Sequence, residues 1–262
     1  MNDGGSNHEM TFWDHLEALR HMLFRVVAVI AVLMVVVFFS KDFIFGSVIF
    51  SPSSSDFCLY RWLCNLGESL NMPEFCLDAF KIEIININLA AQFFTHMSTS
   101  FWLGLILAFP YFLYELWRFV CPALYKKEKR YIRIAFGFGC ILFFTGVLLG
   151  YFVIFPLTLK FLGTYQVTET VVNQISLHSY ISTFTSLILM MGIVFEIPMV
   201  ALVLSKLGVI RRPFLRKYRK YAVICSLILS AVITPSGDAF TMLMVALPLV
   251  LLYEFSILVV KK

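Results

Sequence analysis

Long apolar stretches dominate this chain, and its polar residues are concentrated between them. A helix that crosses the hydrocarbon core of a bilayer needs about 20 predominantly apolar residues. Six stretches approach this length, which predicts an all-α integral membrane protein with six transmembrane helices in a single membrane domain at 11–262. The predicted spans cover about 22–40, 98–117, 134–159, 181–204, 221–233 and 239–260.

The segment before the first span is amphipathic. Apolar residues recur at helical spacing between Thr11 and Arg25, and Thr11 is a candidate helix cap. This pattern predicts a helix that lies along the inner membrane surface and then turns into the first span. Residues 1–10 are polar, and we expect them to be a disordered cytoplasmic N-terminus.

Composition supports a bilayer protein and excludes an ordinary soluble domain. Apolar and aromatic residues make up 60% of the chain, and charged residues only 14%. Soluble domains are nearer half apolar and a quarter charged. The formal net charge of +5 is therefore no indication of nucleic-acid binding, because the placement of the charges matters more than their sum.

The distribution of Lys and Arg predicts the orientation. With the N-terminus inside, seventeen of the 21 cationic residues fall on the inner side, as the positive-inside rule requires. The remainder are Lys41, Arg61, Lys81 and Lys160. Both termini are therefore predicted to be cytoplasmic.

The cysteines fall into two groups. Cys58, Cys64 and Cys76 lie in the first outer loop, where three thiols permit one disulfide and leave one over. The others lie in or beside spans. Because none of the spacings is typical of a zinc site, no metal is expected, and no other cofactor is indicated.

The last two predicted spans are short and closely connected. Residues 221–233 give about 20 Å of helix, against a hydrocarbon core of about 30 Å. The turn that follows, TPSGD at 234–238, leaves no room for a long loop. Either this hairpin is short, or the span extends to Gly237.

At this point the sequence resembles a known family. Six stretches occur in order and resemble the signature stretches of the TatC family, the multi-span receptor subunit of the twin-arginine (Sec-independent) protein translocase. They are HLEALR at 15–20, YELWRFVCPALYKKEKR at 114–130, FPLTLKFL at 155–162, FEIP at 195–198, TPSGDAF at 234–240 and LPLVLLYE at 247–254.

The resemblance implies a transporter component that is not an enzyme. Members bind the Arg-Arg signal peptides of folded precursors and assemble with single-span partners of the TatA and TatB type. Export is driven by the proton-motive force, and the receptor is expected to form oligomers within the complex. The implied fold is a concave, glove-like bundle whose last two helices are short.

Glu128 is the first candidate for signal-peptide binding. It stands among four cations at 126–130, which would repel a basic peptide unless a carboxylate were close by. The family has a signal-peptide-binding Glu at this point of the motif. The alternative is a surface acid paired with Lys127 or Arg130.

The N-terminal candidates are Glu17 and Arg20. The family usually reads H-L-x-E-L-R, but here Ala18 stands at the acidic position and the acid is Glu17. One residue turns a helix by about 100°, so Glu17 is expected to face a different direction from position 18. Glu17 and Asp14 are three residues apart and share a helix face, so together they could replace the missing acid. Arg20 is equally consistent with an inner-surface anchor.

Phe119 completes the set that the resemblance assigns to signal-peptide binding. The family places the aromatic residue of its W-x-F stretch near that site. Aromatic residues at the inner end of a span are also typical of the interface belt. Glu115, one turn deeper, stands where the family often has a polar side chain.

Glu196 is the principal intramembrane candidate. It lies ten residues before Lys206, or about 15 Å from the inner end of its span, where an unpaired carboxylate is unfavourable. The FEIP match favours a polar cavity site that contacts a partner helix or substrate. A neutral hydrogen-bonded acid and a proton-relay site are the alternatives.

Pro235 and Asp238 are assigned to the turn before the last helix. The family's commonest form is T-P-P-D, whereas TPSGD has one extra residue before the acid. The simplest role for Asp238 is to cap the last helix.

Two other classes of protein remain as rivals. A secondary small-molecule transporter would use Glu196 as its coupling site, but we see no repeat between the two halves of the chain. A purely structural membrane anchor would leave both Glu128 and Glu196 without a role.

Overall fold

The computed structural model describes residues 12–54, 57–69, 83–121, 126–166, 168, 173–234 and 237–260. Within these ranges, the side chains of residues 12, 14, 66, 67 and 126–131 are not described. The cysteine at position 76, the turn proline at 235 and residues 1–10 lie outside the described residues.

The described chain is mostly helical. The α-helices are α1 (Phe12–Phe39), α2 (Lys41–Phe43), α3 (Cys58–Ser69), α4 (Ala91–Val120), α5 (Lys126–Leu149), α6 (Phe155–Thr164), α7 (Leu177–Val194), α8 (Ile197–Lys206), α9 (Arg212–Lys217), α10 (Arg219–Ile233) and α11 (Ala239–Val259). Ile44–Ile49 and Gly150–Ile154 are π-helical, and Ser51–Ser53 is a 3₁₀ turn. The strands β1 (Ile84–Ile85) and β2 (Ile175–Ser176) pair in parallel.

Five helical segments of the described chain are long and apolar enough to cross a membrane. They are His15–Phe39, Ala91–Val120, Ile132–Thr164, Leu177–Lys206 and Ala239–Val259. The predicted fifth span, α10, has 15 residues and is about 22 Å long, so it is short. The last two helices were both expected to be short. Helix α10 is short, whereas α11 has 21 residues and is about 31 Å long.

The N-terminal part of the fold differs from the expectation. The predicted amphipathic segment and the first span form one unbroken helix, α1, with no turn between them. The physical reason is in the sequence, since neither Gly nor Pro occurs between Phe12 and Phe39. The N-terminal motif is therefore carried rigidly on the end of a transmembrane helix.

The fourth predicted span is interrupted where we expected a continuous helix. Helix α7 ends at Val194 and α8 begins at Ile197. Pro198 has no N–H to bond the carbonyl of Val194, and its ring disfavours a continuous helix at this point. The interruption places Glu196 in the break itself.

Tyrosine hydroxyls attach the outer segments to the bundle. Tyr60 on α3 donates to the carbonyl of Pro156 (2.8 Å), and burial raises the pKa of this phenol. Tyr180 on α7 donates to the carbonyl of Ile49 (2.6 Å). In the same region Cys64 is disulfide-bonded and Cys58 is free.

Small residues allow the spanning helices to approach closely. On α4, a Cβ atom at Gly104 would lie 3.0 Å from the backbone nitrogen of Met34 on α1. On α5, a Cβ atom at Gly146 would lie 2.5 Å from the carbonyl oxygen of Met191 and 2.8 Å from Phe195. Close approach at small residues is typical of helix packing in membranes, where the hydrophobic effect between helices is absent.

We expect Gly146→Ala to destabilise the packing of α5 against α7. The added methyl meets backbone on α7, which can give way only if the helices separate, so the free energy of unfolding should fall by about 1–3 kcal/mol. Thermal unfolding in detergent measures the effect. Gly137→Ala, on the same helix, is the matched control, because a Cβ atom there meets nothing within 4 Å. Equal stability of the two variants would contradict this description of the interface.

Candidate binding site at the inner ends of α1 and α4

The start of α1 lies against the end of α4. The imidazole of His15 stacks on the ring of Phe119, with centroids 4.2 Å apart and planes inclined by 27°. Each residue belongs to a different signature stretch, one at 15–20 and one at 114–130. Folding thus brings together two stretches that are about 100 residues apart in sequence.

A pocket of about 220 Å³ opens between these two helix ends. Both helices contribute an arginine to its wall, and α4 also contributes a carboxylate and an aromatic ring. The lining residues are His15, Ala18, His21, Met22, Arg25, Glu115, Arg118 and Phe119. The pocket is large enough for a single planar side chain or head group.

Glu115 provides the carboxylate of the pocket. It is 2% exposed, and its Oε2 accepts hydrogen bonds from Nη2 (2.7 Å) and Nε (3.1 Å) of Arg25. Its Oε1 accepts from the hydroxyl of Tyr111 at 3.2 Å. Since these partners lie on α1 and α4, the carboxylate connects the two helices.

The pocket has more positive than negative charge. A second guanidinium, that of Arg118, lies 3.9 Å from Glu115 Oε1 and is largely exposed. Arg25 is itself partly exposed. One buried carboxylate therefore stands between two guanidiniums, and its field is largely neutralised from the protein side.

The two N-terminal candidates, Glu17 and Arg20, are exposed and do not line the pocket. Glu17 is exposed and lies 3.9 Å from Arg20 and 3.8 Å from His21, distances typical of weak surface pairs. Ala18, one residue further, lines the pocket. The position at which the family has its acid thus faces the pocket, and in this chain it holds no carboxylate.

Glu128 lies in the first turn of α5, and its side chain is outside the described residues. Its helix nevertheless contacts the last turns of α4. The guanidinium of Arg133, also on α5, sits 4.7 Å from the ring centre of Trp117 on α4. Five residue steps separate Cys121 from the start of α5, which limits that gap to about 18 Å.

Glu196 occupies the break between α7 and α8 and is 7% exposed. Both of its carboxyl oxygens are buried, with no hydrogen-bond partner among the described residues. A Cβ atom at Gly139 on α5 would lie 2.9 Å from Oε2, so a larger residue there would displace the carboxyl group. The carboxyl group is thus enclosed between helices of this chain, and the predicted contact with a partner helix or substrate stays a prediction.

Asp238 caps α11. Its carboxylate accepts from the backbone N–H of Thr241 at 2.7 Å and from the Thr241 hydroxyl. Gly237, immediately before it, has a φ of +60°, which favours glycine at this turn. The extra residue in TPSGD is thus accommodated by a left-handed residue in the turn.

The Arg25–Glu115 pair is the feature that sequence reasoning missed. A carboxylate and a guanidinium in two different apolar spans are each unfavourable alone, and this was an available sign that they pair. What the sequence could not provide was the register of α1 on α4. Close approach at Gly104 and ring stacking at Phe119 belong to the same register.

Comparison with known proteins identifies the family. Residues 14–248 match the model of the Sec-independent protein translocase protein (TatC) family. The Sec-independent protein translocase protein TatC of Blattabacterium sp. subsp. Periplaneta americana is 38% identical over 95% of this chain and 94% of that protein. That of Carboxydothermus hydrogenoformans is 32% identical over 96% of this chain and 93% of that protein.

Solved structures give the same result. A crystal structure of the twin-arginine translocase receptor TatC matches with a TM-score of 0.70 and 31% identity, over 94% of this chain and 97% of that one. A second, determined in the detergent DDM, matches with a TM-score of 0.73 and 32% identity, over 95% and 100%. The chain belongs to the TatC family of Sec-independent protein translocase proteins.

Proposed function

We propose that this chain is the receptor subunit that binds twin-arginine signal peptides at the inner membrane surface. It would then assemble with single-span partners for export driven by the proton-motive force. The observation that carries the proposal is the meeting of α1 and α4 at His15 and Phe119. Two stretches that resemble those of signal-peptide receptors thereby lie against each other.

The orientation is part of this proposal. The start of α1 meets the end of α4 at His15 and Phe119, and Arg133 on α5 contacts Trp117 on α4. The cations at 126–130 are the first residues of α5. The Lys and Arg bias assigns this end to the cytoplasm, together with both termini. A cytoplasmic precursor would reach the pocket without crossing the membrane.

Glu128 is the carboxylate that we assign to the incoming guanidiniums. Glu115 is buried and already bonded by Arg25, so it is not free to pair with a peptide in this conformation. Glu17 is exposed on a different face from the pocket-lining Ala18. By comparison, an acid at the start of α5 has only cations beside it in sequence, and such an acid can attract paired arginines.

Glu115 and Arg25 have a positioning role in the proposal. The pair joins α4 to α1 just below the contact between His15 and Phe119. It therefore sets the distance between the two helix ends that would receive the signal peptide. Arg20 and Phe119 would contact the peptide from these ends.

Glu196 is assigned to a later step. A carboxyl group enclosed in the membrane without a hydrogen-bond partner among the described residues is unfavourable, and a polar group from a partner helix would relieve it. Its distance from the inner ends argues against a role in the first capture of the peptide. The known relatives and matching structures give no support to a small-molecule transporter.

Glu128→Gln should weaken binding of an Arg-Arg signal peptide by about tenfold, since a charge-assisted hydrogen bond becomes a neutral one. Site-specific crosslinking, or titration with a labelled peptide in nanodiscs, measures this change. Glu68→Gln removes an exposed acid from the outer segment α3 and is the matched control.

A peptide in which Lys-Lys replaces Arg-Arg completes the design. This Lys-Lys peptide should bind the unmodified chain weakly, because lysine cannot pair bidentately with a carboxylate. For the same reason, its affinity should fall little further when Glu128 is replaced by Gln. If Glu128→Gln binds the Arg-Arg peptide as tightly as Glu68→Gln does, the assignment of Glu128 is wrong.

Arg25→Gln should destabilise the chain more than Glu115→Gln does. The first change leaves a buried carboxylate without its main partner, whereas the second leaves an arginine that can turn to water. The double variant should recover part of the loss. Thermal unfolding of the four proteins in one detergent gives the coupling. Losses that simply add would show that the two residues do not act as a pair.

Glu196→Gln should leave signal-peptide binding unchanged and reduce transport of a folded precursor. The amide keeps the volume but changes the hydrogen-bonding and charge that a partner helix would meet. Transport into inverted membrane vesicles is the measurement, and Glu83→Gln, an exposed acid before β1, is the control. Full transport by Glu196→Gln would exclude the assigned role.

A further inference from the structure

An exposed surface of aromatic and cationic side chains lies at the start of α10. We define the basic–aromatic surface as Phe214, Arg216, Lys217, Tyr218, Lys220 and Tyr221. The three aromatic residues are 53%, 40% and 63% exposed, respectively. Their rings form a row, with centroids 4.6 Å apart between Phe214 and Tyr218 and 5.9 Å apart between Tyr218 and Tyr221.

Helical spacing explains the arrangement. The aromatic residues follow one another at four and three positions, which places them on one face. Lys217 is three residues after Phe214 and four before Tyr221, so it flanks the row. The cations of the surface make no ion pair with any carboxylate that the structure describes.

The bundle holds this surface in a fixed orientation. Leu215, on the opposite side of α9, is buried in a cluster with Ile257 and Val260. The hydroxyl of Tyr253 donates to the carbonyl of Leu215 at 2.8 Å, and Arg219 forms an ion pair with Glu254. The aromatic row therefore faces outward because its back is fixed to α11.

The position of the surface relative to the membrane follows from α10. This helix starts within the basic–aromatic surface and continues directly into the apolar residues 222–233. Aromatic rings and cations at the start of such a helix lie at the depth of the phospholipid head groups. An aqueous location would leave three exposed rings in water, whereas the interface accommodates both rings and charges.

We propose that the basic–aromatic surface binds the phosphate groups of anionic phospholipids in the inner leaflet. The cations pair with the phosphates, and the rings insert at the level of the glycerol backbone. This docking anchors the inner end of α10 at the interface. Because α10 is about 22 Å long, the mismatch with the hydrocarbon core is then taken up at its outer end.

The test compares lipid enrichment around the full chain in vesicles of phosphatidylcholine mixed with phosphatidylglycerol. The chain is extracted in mild detergent, and the ratio of the two lipids that remain bound is determined by mass spectrometry. Arg216→Gln/Lys217→Gln should lower the enrichment of phosphatidylglycerol roughly tenfold.

Two double variants serve as controls. Lys41→Gln/Arg61→Gln removes two exposed cations from other parts of the chain, so it changes the net charge equally and should keep the enrichment. Arg216→Lys/Lys217→Arg preserves the charge of the surface and should also keep it. Equal losses in both glutamine variants, or none in either, would overturn the proposal.

A second experiment distinguishes binding of a phospholipid from binding of free phosphate. Added phosphatidylglycerol should raise the unfolding temperature of the unmodified chain more than that of Arg216→Gln/Lys217→Gln. Inorganic phosphate at the same concentration should raise neither. Equal stabilisation by inorganic phosphate would overturn the assignment to lipid. Binding of an acidic protein to the basic–aromatic surface, with no change in lipid enrichment in Arg216→Gln/Lys217→Gln, would overturn it as well.

Discussion

The pairing of a buried carboxylate on α4 with a guanidinium on α1 determines how the receptor end of this protein is built. Glu115 lies near the inner end of a transmembrane helix and is almost fully buried, so it requires a compensating partner. Arg25 supplies that partner from the neighbouring helix with two hydrogen bonds to one oxygen. Because a bond of this kind tolerates little displacement, it fixes the register of α1 on α4. The contact of His15 with Phe119 follows from that register.

The two intramembrane carboxyl groups differ in a way that separates two functions. Glu115 is bonded within the chain and acts as part of the framework. Glu196 lies in a helix break that Pro198 enforces, and no described residue bonds its oxygens. Glu115 already has hydrogen-bond partners within the chain and needs none from a partner protein. An enclosed carboxyl group without such partners would be stabilised by a polar group from another helix. Capture of a peptide and later assembly would thus use different sites and different chemistry of the same bundle.

Sequence patterns were sufficient for some elements and insufficient for others. Apolar runs predicted the spanning helices because hydrophobic length is a local property, and the short α10 was visible in the same way. The same runs did not predict the interruption of the fourth span at Pro198. The continuous α1 was missed because its polar first turns were interpreted as a surface segment, although no residue there breaks a helix. Glu17 and Ala18 show a different limit. One position of helical rotation decides which of them faces the pocket, and only the packing of α1 on α4 fixes that rotation.

Because α10 is short, the contact of its ends with the membrane surfaces affects how the helix is placed in the bilayer. A helix of about 22 Å leaves several ångströms of hydrocarbon unmatched, and nothing in its own length decides which end is displaced. Its start carries exposed aromatic rings and cations that pair with no described carboxylate, and Arg219 there pairs with Glu254 on α11. Its end passes within a few residues into the cap of α11 at Asp238. With the proposed interfacial anchor at the start of α10, the displacement would fall at its end, where the bilayer would thin or a neighbouring helix would cover the hairpin.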